Sequence, residues 1–146
     1  MDHDDVMDTL NDLVETCEDG KKGFTEAAEH VEDPAVKSEL ARFGQERARF
    51  AGELRSAIRG AGGEVDEDAS AGGGFHRAWL KLRDALGGGD HAILAEAERG
   101  EDHAVSEYRD AMDKPLPPEM AELVRRQYSD VKAAHDRVRA MRDARA

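Results

Sequence analysis

The stretch "ILAEAERGEDHAVSEYRDAM", Ile93 to Met112, holds six acidic residues and one histidine on what its spacing predicts to be a single helix. Carboxylates and imidazoles are the ligands of di-metal centres in helical bundles, which take one Glu from each of two helices and a Glu-x-x-His pair from each of the other two. Such a pair needs Glu three residues before His, so that both project from one face. The residues in that place are Ala27 before His30, Gly73 before His76, Gly88 before His91, Gly100 before His103 and Lys132 before His135, and His3 has none. The signature is absent. His103 and Glu107, four apart, have a chelating spacing, but the helical projection turns His103 outward, to a weak surface site.

The apolar residues say which elements position these groups. At about 100° per residue, Val6, Leu10, Leu13, Val14, Cys17, Phe24, Ala28 and Val31 fall in one stripe and predict a first long helix. Asp33 as N-cap and Pro34 at the first helical position start a second, with Val36, Leu40, Phe43, Phe50, Leu54 and Ile58 inside. A link this short makes the two antiparallel. "GAGGEVDEDASAGGG" supports no periodicity and predicts a surface loop. Phe75, Trp79, Leu82 and Leu86 then predict a short amphipathic helix closed by Gly87, Gly88 and Gly89. Asp90 is expected to cap a third long helix containing Ile93, Leu94, Ala97, Ala104, Tyr108 and Ala111. "KPLPPEM" ends it and opens a fourth, with Met120, Val124, Val131 and Val138.

The expected fold is therefore all-α, a single antiparallel four-helix-bundle domain over residues 1–146. Two helical hairpins, 3–61 and 90–144, are joined by a connection over 62–89 that carries the short helix at about 75–86. A connection that returns along the bundle and one that drapes over its end both satisfy the pattern.

The runs "LNDLVETCEDGKKGF", "RARFAGEL", "GGFHRAWLKLRDAL", "AEAERGEDHAVSEYRDAM" and "LPPEMAELVRRQYSDVKAAHDRVRAMRD" resemble, in order and spacing and over nearly the whole chain, a bacterial ferritin-like four-helix-bundle family known as a domain of unknown function. The resemblance implies a ferritin-like bundle and a setting in stress physiology. It implies no activity, substrate or catalytic residue.

Which polar groups face inward decides what such a bundle can hold. On the third helix only Glu101 lies within the stripe; Glu96, Glu98 and Glu107 flank it, and Asp102, His103 and Asp110 point outward. Arg47 sits mid-stripe on the second helix among Phe43, Phe50 and Leu54, Lys21 at the inner edge of the first, and Gln127 and His135 beside Val131 on the fourth. The predicted structural polar core is Lys21, Arg47, Glu101, Gln127 and His135, with Cys17 nearby. One carboxylate among two cations is the wrong composition for a di-iron centre, because the cations repel the charge the ligands must hold. The expectation is a core without metal, cofactor or catalytic residues, in which Arg47 and Glu101 form an ion pair that fixes helix register. The alternative for Arg47 is a stem that carries its charge out to solvent. The rival function is an iron-binding protein or di-iron oxidoreductase with an irregular ligand set, Glu18, Glu46, Glu101 and His135. Cys17, one turn before Lys21, is either a redox thiol with a lowered pKa or a small core hydrophobe. Tyr108 and Tyr128 are expected to pack with hydrogen-bonded hydroxyls.

Charge bounds the partners. With 33 acids against 21 Lys and Arg, the net charge of -12 repels nucleic acid and anionic lipid, so neither is expected as a partner. One cysteine forms no intrachain disulfide, the acidic start "MDHDDVMD" is unlike a secretory signal, and no apolar run approaches the roughly 20 residues of a membrane span, so a cytoplasmic location is expected. Residues 1–33 carry a net -10, 34–62 +3, 91–114 -4 and 115–146 +2, so each hairpin sets opposite signs side by side. The acidic surplus of the first helix is a solvated face or a docking site for a basic partner. Gly20, Gly23, Gly44, Gly52 and Gly100 each cost a helix about 1 kcal/mol, which points to close helix approach or to unwinding at "DGKKG". The Phe75, Trp79, Leu82, Leu86 face must be covered by its own bundle or by a second copy in a homodimer. A non-catalytic protein acting through protein contacts is the expected function.

Overall fold

The computed structural model of the chain describes residues 1–66, 79 and 81–145. Among them are five helices: α1 (His3–His30), α2 (Pro34–Gly60), α3 (Leu82–Ala85), α4 (Asp90–Met112) and α5 (Pro118–Asp143). α1 and α2 begin where an aspartate side chain serves the unpaired amides of the first turn. The Asp2 carboxylate accepts from the Asp5 amide at 2.9 Å, and Asp4 and Asp5 add negative charge where the helix dipole favours it. Asp33 accepts from the amides of Ala35 (2.9 Å) and Val36 (3.4 Å), with Pro34 opening α2.

Asp90 does not cap its own helix. The N-cap of α4 is Gly89, at φ +89°, a conformation that suits glycine. The Asp90 carboxylate instead accepts from the backbone amides of Glu32 (2.8 Å) and Asp33 (3.0 Å), in the link between α1 and α2. That link leaves amides without helical acceptors, and a carboxylate beside them forms stronger bonds than a neutral group would.

α2 packs along α1 and α5 along α4, while α1 meets α4 and α2 meets α5 to close an all-α helical bundle. The core has two apolar parts. One gathers Leu10, Leu13, Val14, Phe50, Leu54, Ile58, Tyr108, Val124 and Val131. The other gathers Phe24, Leu40, Phe43, Trp79, Leu82, Ile93, Leu94 and Val138. In sequence, Arg47 falls between Phe43 and Phe50, and Glu101 between Ala97 and Ala104, so polar residues stand at the boundary of the two.

α1 continues through "DGKKG" without a break, so its glycines mark close approach and not unwinding. A Cβ on Gly44 would lie 3.2 Å from Thr25 Oγ1 and 3.5 Å from the Lys21 carbonyl oxygen, where α2 crosses α1. Gly52 has no atom within 4 Å of such a Cβ, and nothing in the structure explains it. The described part of the predicted short helix is a single turn, α3. Trp79 precedes it in a bend, and Phe75 lies outside the described residues. Trp79 and Leu82 are buried within the chain's own bundle and Leu86 is partly buried, so these parts of the face are covered without a second copy. No helix among the described residues is long and apolar enough to cross a membrane.

Candidate functional site

Arg47 and Glu101 are brought together at the middle of the bundle. The guanidinium grips the carboxylate with both terminal nitrogens, Nη1 to Oε2 at 2.7 Å and Nη2 to Oε1. Their side chains are 1% and 0% exposed. Room for the arginine comes from Gly20 on α1: a Cβ there would stand 2.9 Å from Nη1 and 3.3 Å from Cγ. The Phe24 ring lies 5.3 Å from the guanidinium carbon and adds a cation–π contact. Burial works against the charge on Arg47, but the charge and hydrogen bonds of Glu101 outweigh it and hold its pKa above the ordinary arginine value. This planar two-bond geometry is the strongest form of a protein ion pair.

Beside it runs a chain of hydrogen bonds that the stripes alone do not reveal. The Tyr108 hydroxyl donates to Gln127 Oε1 at 2.7 Å, which leaves its oxygen to accept from the Cys17 thiol at 3.1 Å. Gln127 Nε2 donates to the Phe50 carbonyl (3.2 Å) and to Glu53 Oε1 (3.0 Å). Burial pushes the Cys17 thiol up to about 11. A thiol held protonated near neutral pH is a poor nucleophile, so the environment is the reverse of an activated redox cysteine. Burial, and then Cys17, raises the Tyr108 phenol well above its usual value too. Tyr128, nearer the surface, accepts from Arg109 Nε at 3.1 Å.

The other predicted core residues are placed elsewhere. Lys21 is not inside: its side chain is 48% exposed, with Glu18 4.0 Å away, because four methylenes carry an ammonium from the edge of a stripe out to water. It borders a surface groove between α1 and α2 with Thr25, Ala28, Lys37 and Ala41. His135 is buried but sits apart from Arg47 and Glu101 in its bonding. Its Nε2 lies 2.6 Å from Asp102 on α4 and its Nδ1 3.0 Å from Asp136, which also accepts from Lys132. Asp102, read from sequence as outward, has a 64% exposed side chain and still reaches His135.

Glu98, which the projection set at the flank of the stripe, is buried. It accepts from Arg139 (2.9 Å) and Arg142, both on α5. The signal was present in the three-residue spacing of the two arginines, which puts them on one face of α5. Asp19, 2% exposed, is a further buried acid that the stripes did not single out.

These positions also test a metal. Glu18 is paired with Arg55 at 3.1 Å, Glu101 is held by Arg47, and His135 is bonded to Asp102 and Asp136. The Glu46 carboxyl is pushed up by burial first and then by Asp130, against the smaller lowering effects of Arg47, Arg49 and Arg42. The four do not converge, and no three His, Cys, Asp or Glu side chains among the described residues are grouped as metal ligands.

No curated protein matches the chain. A family model does, over residues 5–114, which includes Cys17, Arg47, Glu101 and Tyr108 and ends before Gln127 and His135. With the greater part of its length matched, the chain belongs to the family described as Domain of unknown function (DUF2383).

Proposed function

We propose that this chain is a ferritin-like bundle of two helical hairpins that performs no catalysis and acts through contacts with other proteins, its middle closed to a bound ion. The observation that carries this is the bidentate Arg47–Glu101 pair. A carboxylate whose two oxygens already face a buried guanidinium has little to offer a cation, and the guanidinium repels one. The protonated Cys17 thiol and the hydrogen-bonded Tyr108 hydroxyl next to it are likewise committed within the core. What is left to recognise a partner is the outside of the bundle. There the acidic surplus of α1 and the lysine-bordered groove between α1 and α2 are the distinctive surfaces.

Elemental analysis of the purified, dialysed protein tests the closed interior. Iron and manganese well below one atom per chain are expected. Stoichiometric metal that survives dialysis, and that is lost in Glu101→Gln, overturns the proposal in favour of an iron-binding protein.

A further inference from the structure

The indole of Trp79, the single tryptophan of the chain, occupies a notch cut into two facing helices. A Cβ on Gly23 of α1 would lie 2.3 Å from Trp79 Cε3 and 2.4 Å from Cδ2. One on Gly100 of α4 would lie 2.3 Å from Cε2 and 2.6 Å from Cδ2. The six-membered ring of the indole is thus what the missing methyl groups make room for on both sides, with Cδ2 common to the two. Phe24 meets the indole near edge-on, with centroids 5.4 Å apart and planes at 70°, a favourable aromatic geometry. Trp79 is 3% exposed and belongs to an apolar cluster with Ala27, Ala97, Leu82 and Ile93.

Two glycines inside long helices destabilise those helices relative to alanine. No conformational need is served by them, since α1 and α4 run through both without a break and neither glycine has positive φ. The shape they create fits a flat ring. Moreover, the walls of this notch belong to the bundle, whereas its occupant comes from the connection between α2 and α4. The receptor and its ligand are separate parts of the fold.

We propose that the Gly23–Gly100 notch is a binding site for a neutral fused aromatic ring, with Trp79 as its built-in occupant, and that removal of this side chain leaves a site for free indole. An apolar cavity of this kind stays dry and takes up an apolar guest. In the native chain the tethered ring is present at an effective concentration of about millimolar or more, so dilute indole does not displace it.

The test compares the native chain, Trp79→Ala and Trp79→Ala/Gly100→Ala by calorimetric titration with indole and by thermal denaturation. Trp79→Ala is expected to take up one indole per chain saturably, with a rise in Tm of about 4 °C at ten times Kd. The native chain takes up none at the same concentrations, and Gly100→Ala weakens uptake by the variant at least tenfold. Folded Trp79→Ala that binds no indole overturns the proposal, as does equal binding with Gly100→Ala. Should Trp79→Ala be unfolded alone, saturating indole must restore its helix content; failure to do so overturns the proposal as well.

Discussion

Glu98 and Glu101 stand about one turn apart on α4, and each is held by arginine, but they occupy different media. Glu101 and its partner are both sealed from water, at 0% and 1% side-chain exposure. Glu98 is nearly as buried, at 8%, yet its partners Arg139 and Arg142 keep 55% and 29% of their surface. In the first pair neither ion can be solvated if the other leaves. In the second, each arginine can return to water at little cost. The same two residue types therefore make a structural commitment at one position and an adjustable surface contact three residues away, and desolvation of the cation decides which.

The sharpest way to break this contrast is a double-mutant cycle. Arg47→Met and Glu101→Leu should each lower stability by about 3–5 kcal/mol, because each strands a buried charge. The double variant should recover most of that loss, and urea denaturation gives the coupling. Additive effects would mean that the pair is not a unit. Glu98→Gln should cost less than about 1 kcal/mol, and the loss should shrink in 1 M salt. A loss as large as that at Glu101 would erase the distinction drawn here.

A third carboxylate extends the comparison to an acid with more like than opposite charge around it. Asp12 on α1 is pushed up by burial first, then by Glu107 and Glu15, against the lowering effect of Lys114. A raised pKa in the folded state means that the native protein binds this proton more tightly than the unfolded chain does. Its contribution to stability therefore improves as pH falls through the raised value. Asp12→Asn should accordingly raise stability at pH 7, by less than about 1 kcal/mol, and the advantage over the native chain should vanish near pH 4. Denaturation at the two pH values checks this, and a loss at pH 7 would show that Asp12 is favourably placed.

Much of this molecule can be read from spacing. The stripes that run through Leu10, Leu40, Leu94 and Val138 define the four long helices, and Asp33–Pro34 marks the start of α2 to the residue. Projection also turns Arg47, Glu101 and Gln127 inward, since facing depends only on angle. What angle cannot supply is height and reach. Lys21 lies at the edge of a stripe and leaves it along a flexible stem, and Glu98 lies at the edge and stays in, because two arginines of α5 arrive at its level. Trp79 was legible as apolar, but its slot depends on Gly23 and Gly100 facing each other across helices far apart in sequence. Asp90 has the sequence of an N-cap, and a backbone amide pair 57 and 58 residues away competes for its oxygens.

That last contact ties a corner of the first helix pair to the opening residue of the second. Fraying of α4 at its N-terminus deprives the amides of Glu32 and Asp33 of their acceptor at the same moment. Deuterium uptake at those two positions should then keep time with the opening of a helix to which neither belongs, and the corner becomes a clock for the docking of the second half of the chain onto the first.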